Sequence, residues 1–357
     1  MAVFLEEKVS SKGKTYIPLF FFMFTIVMCI VAGYAFVEQT DKSFTNTSTG
    51  MGVQIHQMLC GGNAEFAAKK VREKIQDLEN KISYDIGESD VEKINNGAGE
   101  KWIKASPETI NALDKFINIS KKSRGTIDPM VLPLISIWGF DCGVLKYPEQ
   151  DLIEKTLKDV DYRDIKINRD VGRVKIENKN GAITLKQIEK GIACSAATDI
   201  YKELNVDYGV ISVGGTVGVY GKKPDNSLWK VSIRDPFIWD KEDSRVAHIK
   251  VKDGYVATFG LKCDKINING VLKNKILNIK TGKPIENNIA SVSILHSDAI
   301  VASALSQICY ILDKKDSLDI LNYYGAEAVF VYENKEIYIT PKLKENFNIL
   351  DNSYTYK

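Results

Sequence analysis

The residues best suited to chemistry stand at the starts of predicted helices. Asp298 precedes an apolar helical pattern, where its carboxylate could ligate a hard cation through oxygen or could cap the helix. Lys190, followed by Gly191, opens a helix of small residues. A lysine beside the free N–H groups of a helix start suits a phosphate, and a solvated lysine is the alternative. Gly214 and Gly215 follow a predicted strand and allow either a tight turn or the close approach of a ligand.

A further candidate is the proline-flanked apolar loop from Gly125 to Phe140. Pro129 restricts Asp128 to extended conformations, and Pro133 follows within the same loop. These residues alone are compatible with a rigid structural turn and with the wall of a binding site.

The elements that position these segments are predicted helices mixed with short strands. Apolar residues at helical spacing predict a helix over 64–82, and Ser106-Pro107-Glu108 is a helix-start signal. Further helices are predicted near 149–159, 190–204 and 298–312, and strands at 174–176, 210–213, 229–233, 255–258, 291–295 and 328–332. Because strands and helices do not alternate strictly, the pattern predicts an α+β fold rather than a doubly wound sheet, and the length allows one long domain or two lobes.

The composition is that of a folded body without a polyanionic partner. Charged residues make up 26% of the 357 residues and hydrophobic residues 44%, and the net charge is +2. A chain of this length can bury a sizeable core. No basic run is interleaved with aromatic residues, so nothing in the sequence indicates nucleic-acid binding.

The N-terminal part predicts a membrane anchor. Residues 15–37 contain no charged residue and are long enough to cross the hydrocarbon core as a helix. A cleaved signal peptide is the alternative, but the apolar run exceeds a typical signal core and no clear cleavage site follows. Lysines before the span and acids after it place the body outside. The predicted order is a cytoplasmic tail (1–14), a transmembrane helix (15–37), a flexible linker (38–50) and an extracytoplasmic domain (51–350), in a single-pass protein of the cell membrane.

The six cysteines show no CxxC pair and no metal-ligand spacing. One of them lies in the predicted span, which leaves an odd number outside. This set predicts buried free thiols rather than a disulfide framework: Cys29, Cys60, Cys142, Cys194, Cys263 and Cys309.

The order of these segments resembles the ApbE-type FAD:protein FMN transferases over nearly all of the region from Met51 to about Phe347. The most specific match is Gly125 to Phe140, which resembles G-[AG]-F-D-P-T-V-x-P-L-x-x-L-W-G-F. Other matches follow in the family's order: Met51-Gly52, Ser83-Tyr84, Ile188 to Gly191 in D-L-G-G-I-A-K-G, Gly214-Gly215 in N-x-G-G-D, Thr281 to Pro284 in H-I-[IL]-D-P-x-T-G-x-P, and Ser297 to Ala299 in A-D-A-x-A-T.

The resemblance implies an ApbE-like α+β fold with a mixed sheet and two lobes, and an enzyme that holds FAD with Mg²⁺. Such an enzyme transfers FMN to a Thr or Ser of a flavin-accepting extracytoplasmic protein and releases AMP. The metal would take the carbonyl of Gln187 and the carboxylate of Asp298. Asp298 and Lys275, which falls on the family's proton-accepting His, would be catalytic. The implied FAD contacts are Met51, Tyr84, Thr126, Ile127, Asp128, Thr184 and Lys190.

Several positions depart from the family's motifs. Thr184 replaces an acid, and Lys186 and Gln187 replace glycines. Lys275 replaces the His, and Ala302 replaces the Thr that follows the metal-binding Asp by four residues. Two expectations follow: a divergent but working FMN transferase, or a non-catalytic FAD- or FMN-binding accessory protein of a membrane redox system.

Overall fold

The computed structural model describes residues 43–238, 244–260, 265–268 and 271–357. The predicted cytoplasmic tail and transmembrane helix, residues 1–14 and 15–37, lie outside these residues. Within the described part of the chain, no helix is both long enough and apolar enough to span a bilayer.

The described chain begins with a β-hairpin where a flexible linker was predicted. Strands β1 (Ser43–Gly50) and β2 (Val53–Cys60) pair antiparallel. Their two-residue turn has positive φ at both Met51 (52°) and Gly52 (69°), as a type I′ turn requires. The linker prediction is therefore wrong for residues 43–50. Alternate threonines favour a strand, and the polar composition reflects an edge strand whose side chains stay mostly accessible.

The hairpin forms one edge of a nine-stranded sheet within the described residues. Its order is β1-β2-β6-β7-β10-β15-β16-β17-β19, and every neighbouring pair is antiparallel except β17 and β19. This confirms the predicted α+β class with a mixed sheet. The remaining strands of this sheet are β6 (Tyr208–Val213), β7 (Thr216–Gly221), β10 (Gly254–Gly260), β15 (Ile289–His296), β16 (Glu327–Tyr332), β17 (Glu336–Ile339) and β19 (Thr355–Tyr356).

Smaller sheets complete the strand set of the described chain. One has the order β18-β9-β8 and another β3-β5-β4, and two hairpins stand apart. Their strands are β3 (Ile103–Lys104), β4 (Ile165–Asn168), β5 (Arg173–Ile176), β8 (Trp229–Arg234), β9 (Arg245–Val251), β11 (Lys265–Ile268), β12 (Val271–Asn274), β13 (Leu277–Asn278), β14 (Lys283–Pro284) and β18 (Phe347–Ile349).

All five predicted helices are present in the described part of the chain. The helices are α1 (Ala64–Ile82), α2 (Asp90–Asn96), α3 (Pro107–Lys122), α4 (Leu132–Trp138), α5 (Gln150–Leu157), α6 (Glu189–Glu203), α7 (Ala299–Ile311) and α8 (Lys314–Tyr324). Ser106 caps α3 by accepting a hydrogen bond from the Thr109 N–H, as the helix-start signal predicted. Helices α6 and α7 pack against each other and against the main sheet.

The main sheet separates two hydrophobic cores. Successive side chains of a strand point to opposite faces. On β16, Ala328 and Phe330 therefore join the core beneath α1, α6 and α7, whereas Val329 and Val331 join the core shared with the β8-β9-β18 sheet. The chemistry-bearing helix starts of α6 and α7 thus lie on the first face.

The proline-flanked loop is folded into short helical turns that are tied to a distant motif. Pro129–Val131 forms a 3₁₀ turn that leads directly into α4. The indole N–H of Trp138 donates a hydrogen bond of 2.8 Å to the carbonyl of Gly282. This bond joins the loop to the Thr281-Gly282 segment, so two of the matched motifs meet.

The cysteines of the described chain are free thiols, as predicted. Cys60, Cys194 and Cys309 are buried, but Cys142 is exposed, so the prediction of burial is wrong for that residue. It lies just after α4 in a segment of exposed residues. Cys29 and Cys263 lie outside the described residues.

Candidate functional site

A cavity of about 360 Å³ opens where α6 and α7 meet the proline-flanked loop and the ends of β7 and β10. This volume is within the range of small-molecule sites. Its lining combines aromatic side chains, lysines and polar side chains of α7: Tyr84, Phe140, Phe259, Lys186, Lys190, Lys275, Ser303, Ser306 and Gln307.

Tyr84 and Lys186 form a connected pair at the wall of the cavity. The Lys186 ammonium lies 3.2 Å from the Tyr84 hydroxyl and 4.4 Å from the centre of its ring, and it also pairs with Asp85. Burial lowers the pKa of Lys186, but its bonds to Asp85 and Tyr84 outweigh that effect and raise the pKa. Lys186, which replaces a glycine of the family motif, therefore has its charge compensated.

Lys190 and Lys275 line the cavity without such compensation. No carboxylate oxygen of the described residues lies within 4.0 Å of either ammonium group. Lys190 stands in the first turn of α6, and its Cε would be 3.4 Å from a Cβ placed on Gly214. The glycine therefore leaves room for the lysine chain, which gives the Gly214-Gly215 turn a role in shaping the site.

Glu189 is the one carboxylate in the lining among the described residues. Burial raises the pKa of its carboxyl to about 7, against the opposing charges of Lys190 and Lys186. The net charge of the lining is therefore positive.

The polar face of α7 closes the cavity with internal hydrogen bonds. The Gln307 amide N–H group donates to the Gln187 carbonyl (2.6 Å) and to the Ser303 carbonyl (3.4 Å). The Ser303 hydroxyl lies 3.1 Å from that of Thr216. The side-chain oxygen Oε1 of Gln187 is buried without a hydrogen-bond partner in the described structure.

The structure brings some of the predicted site residues together and leaves others out. Six of them line the cavity: Tyr84, Thr126, Ile127, Gln187, Lys190 and Lys275. Four do not belong to its lining: Met51, Asp128, Thr184 and Asp298. Met51 occupies the β1–β2 turn, with only 5% of its surface exposed.

Asp128 and Thr184 support the wall instead of lining it. The Asp128 carboxylate accepts hydrogen bonds from the N–H groups of Met130 (2.8 Å) and Tyr162 (2.9 Å). The Thr184 N–H donates to the Pro129 carbonyl at 2.8 Å. These bonds hold the proline-flanked loop against its neighbours, so both residues position Thr126 and Ile127.

Asp298 is a helix cap in this structure. Its Oδ1 accepts hydrogen bonds from Ile300 N–H (3.0 Å) and Val301 N–H (3.1 Å), and its Oδ2 pairs with Lys115. Gln307, which holds the Gln187 carbonyl, is about 13 Å further along α7 at 1.5 Å per residue. The two predicted metal ligands, Gln187 and Asp298, are therefore not brought together.

A different register of the A-D-A-x-A-T motif agrees with the geometry. The motif also fits residues 302–307, where its acid falls on Ser303 and its threonine on Gln307. Both residues line the cavity, whereas Ala302 is fully buried in the core. The match at Ser297 to Ala299 is thus five residues too early, and the α7 positions that face the cavity carry a hydroxyl and an amide.

The residues present do not fit Mg²⁺. This ion takes oxygen ligands in near-octahedral geometry and usually includes one or two carboxylates. The Gln187 carbonyl is already bonded to the Gln307 amide, Asp298 lies elsewhere, and Glu189 stands between two lysines. Among the described residues there is no group of three His, Cys, Asp or Glu that could hold a metal ion.

We expect Asp298→Ala to lower stability and to leave ligand binding in the cavity intact. The substitution removes the oxygen that accepts from two N–H groups at the start of α7 and the partner of Lys115, a loss of about 1 kcal/mol. Chemical denaturation measures the stability, and titration with FAD measures the binding. A loss of FAD binding in a variant that stays folded would contradict the assignment of Asp298 as a cap.

Asp128→Asn should change how stability depends on pH. Burial raises the pKa of the Asp128 carboxyl to about 6, outweighing its two backbone hydrogen bonds. The folded state therefore binds this proton more tightly than the unfolded state does, which stabilises the fold at low pH. The wild-type protein loses this stabilisation as pH rises from about 4 to about 6. The variant lacks that titration, and it also loses one hydrogen bond, worth about 1 kcal/mol. Urea denaturation should show that the wild type has the larger free energy of unfolding at low pH. The difference in this free energy between wild type and variant should narrow as pH rises and stay constant above pH 7.

The fold and the cavity define an α+β protein with a lysine-lined ligand site beside two packed helices. The chain belongs to the ApbE family, whose model matches residues 49–330. It is 22% identical to the FAD:protein FMN transferase of Treponema pallidum, an alignment that covers 91% of this chain and 95% of the relative. It is also 22% identical to the enzyme of the same name from Haemophilus influenzae, over 88% of this chain and 94% of that protein.

A solved structure supports the same assignment. The crystal structure of the ApbE protein from Thermotoga maritima superposes with a TM-score of 0.78 and 26% identity, covering 85% of this chain and 99% of that one. The ApbE-like fold predicted from the motif order is therefore confirmed.

Proposed function

We propose that this chain binds FAD in the described cavity and transfers its FMN half to a Thr or Ser hydroxyl of an acceptor protein. The observation that carries the proposal is the lining itself, where aromatic side chains stand beside two uncompensated lysines. FAD offers the flat flavin ring to the aromatic side chains and its diphosphate to the lysines. The names of the Treponema and Haemophilus relatives support the same activity.

The proposed reaction is a phosphoryl-type displacement. The acceptor hydroxyl oxygen attacks the phosphorus of the FMN half, the bond to the bridging oxygen breaks, AMP leaves, and the hydroxyl proton passes to solvent. Catalysis of such a step depends mainly on positioning and on offsetting charge at the phosphoryl oxygens. Lys190 and Lys275 would offset that charge, and Tyr84 would border the flavin. Mg²⁺ has no part in the proposed reaction, because the residues present do not fit it.

The setting of this activity is also part of the proposal. Residues 15–37 would anchor the chain in the cell membrane, with the domain on the extracytoplasmic side. The acceptor would then be an extracytoplasmic redox protein. This part rests on the N-terminal sequence pattern alone.

A second candidate is an FAD- or FMN-binding accessory protein without transfer activity. The observation that favours it is the replacement of chemical groups in the cavity: Lys275 stands at the family's His position, and Ser303 and Gln307 at its acid and threonine. Such a protein would keep the ligand site and lose the chemistry.

One experiment separates the two candidates. The purified chain is incubated with FAD and an extracytoplasmic protein extract, with the Treponema pallidum relative as positive control. Flavin fluorescence on denatured proteins and chromatographic AMP are then measured. Labelled protein together with AMP supports the transferase. FAD binding without either product supports the accessory role, and the absence of FAD binding contradicts both.

A further inference from the structure

The Gln187 carbonyl, which the family resemblance offers to a cation, has another partner in this chain. The Gln307 amide donates to it at 2.6 Å, and the same amide nitrogen contacts the Ser303 carbonyl at 3.4 Å. Both N–H bonds of the amide are therefore used within α7 and the start of α6. A neutral donor therefore already occupies one of the two lone pairs of this carbonyl oxygen.

The charge of the cavity points the same way. Lys190 and Lys275 have no carboxylate partner among the described residues, and the single carboxylate in the described lining is Glu189. Like charges in one partly buried site repel, so two ammonium groups disfavour an added divalent cation. They match the two negative charges of a dinucleotide diphosphate.

The α7 side chains that face the cavity include no carboxylate that could ligate a cation and offset the repulsion by the lysines. Ser303 is 5% exposed, and its hydroxyl is 3.1 Å from that of Thr216. A hydroxyl and an amide are neutral, whereas protein sites for magnesium usually include one or two carboxylates. Ser303 at the position of the family's acid removes a negative charge, and Lys275 at the position of its His adds a positive one, so both replacements disfavour a cation.

We infer that this cavity holds the diphosphate of its dinucleotide without a divalent cation. The Gln307 amide takes the cation's place at the Gln187 carbonyl, and Lys190 and Lys275 take over its charge. This inference rests on the proposed FAD site and specifies how that site recognises its ligand.

The first test compares FAD binding to the full chain in EDTA and in millimolar MgCl₂ by calorimetry. We expect dissociation constants that agree within about threefold, a difference of well under one tenfold step. If FAD binds only with MgCl₂, the inference is overturned while the FAD site stands. If FAD binds in neither condition, the proposed FAD site fails and the inference fails with it.

The second test uses Gln307→Glu, which keeps the shape of the side chain and replaces the amide by a carboxylate. The carboxylate would face the Gln187 carbonyl with no proton donor between them, so the variant should require a cation there. We expect MgCl₂ to strengthen FAD binding by at least about tenfold in the variant and not in the wild type. The matched control is Gln76→Glu, which makes the same change at an exposed site of α1, where the side chain bonds the Asn80 amide and no carboxylate.

The thermal midpoint provides a readout that needs no FAD. MgCl₂ should raise the midpoint of Gln307→Glu and leave that of the wild type and of Gln76→Glu unchanged. A magnesium-dependent rise in the wild-type midpoint equal to that of Gln307→Glu would overturn the inference. If Gln307→Glu does not fold, the wild-type comparison in EDTA and MgCl₂ still decides it.

Discussion

Lys190→Gln is expected to weaken FAD binding by about 10- to 100-fold. Lys190 lines the cavity from the first turn of α6, and no carboxylate oxygen of the described residues lies within 4.0 Å of its ammonium group. A hydrogen bond to a charged group contributes about 1.5–3 kcal/mol, and each 1.4 kcal/mol is a factor of ten in affinity. Calorimetric or fluorescence titration with FAD measures the loss directly. The effect should shrink at high salt, because the interaction is between charges that solvent partly reaches.

The matched control is Lys202→Gln on the same helix. Lys202 is exposed, outside the cavity lining, and 3.6 Å from Asp199. Lys202→Gln removes one positive charge from α6, as Lys190→Gln does, so a general electrostatic effect on FAD binding would appear in both variants. We expect its FAD affinity to equal that of the wild type. Equal binding by Lys190→Gln would instead identify Lys190 as an ordinary solvated lysine.

The secondary structure of the interior could be predicted because its local signals and its packing agree. The helix over 64–82 shows an apolar stripe at helical spacing, and it buries Val71, Ile75, Leu78 and Ile82 of that stripe, whereas Phe66 is 51% exposed. The strand pattern at 328–332 succeeded for the same reason. The hairpin at residues 43–60 could not be predicted in full, because its first strand is a polar edge strand without an apolar face.

The lysines and Tyr84 of the site could be placed from motif order, but the face of α7 could not. Helix α7 is buried nearly all round, from Ala299 through Tyr310. A helix that is buried on all sides shows no contrast between a core face and a solvent face, so its sequence does not indicate which residues face a ligand. An aspartate before such a helix looks the same whether it caps the helix or binds a cation. Only the packing of α6 against α7 shows that Ser303 and Gln307 face the cavity.

The same limit applies to residues that meet from distant parts of the chain. Phe140, Phe259 and Lys275 come from separate segments of the chain and line one cavity. Only Phe259 lies on the main sheet, in β10, and Phe140 packs against a hydrophobic cluster that contains Leu277, two residues after Lys275. Asp128 belongs to the most specific motif of the chain, yet its carboxylate accepts hydrogen bonds from the N–H groups of Met130 and Tyr162 and does not line the cavity. Motif membership therefore identified the neighbourhood of the site without separating contact residues from supporting ones.

Gly191→Ala is expected to destabilise the protein by about 3 kcal/mol and to weaken FAD binding with it. In a helix, Gly to Ala is ordinarily favourable by up to about 1 kcal/mol. Here a Cβ on Gly191 would lie 2.5 Å from the Ala299 carbonyl oxygen and 2.8 Å from the Ile300 Cα, both backbone atoms. Overpacking against backbone forces the starts of α6 and α7 apart. Lys190 stands on one of these helices and Gln307 on the other, so the separation also widens the ligand site.

The control for Gly191→Ala is Gly62→Ala, at an exposed position just before α1. A Cβ there would meet no atom within 4 Å, so its stability should stay within about 0.5 kcal/mol of the wild type. Denaturant unfolding of the three proteins gives the comparison. A Gly191→Ala variant as stable as the wild type, or more stable through helix propensity, would show that α6 and α7 can move apart at no cost. The close contact between the two helix starts would then have no part in holding Lys190 and Gln307 at one cavity.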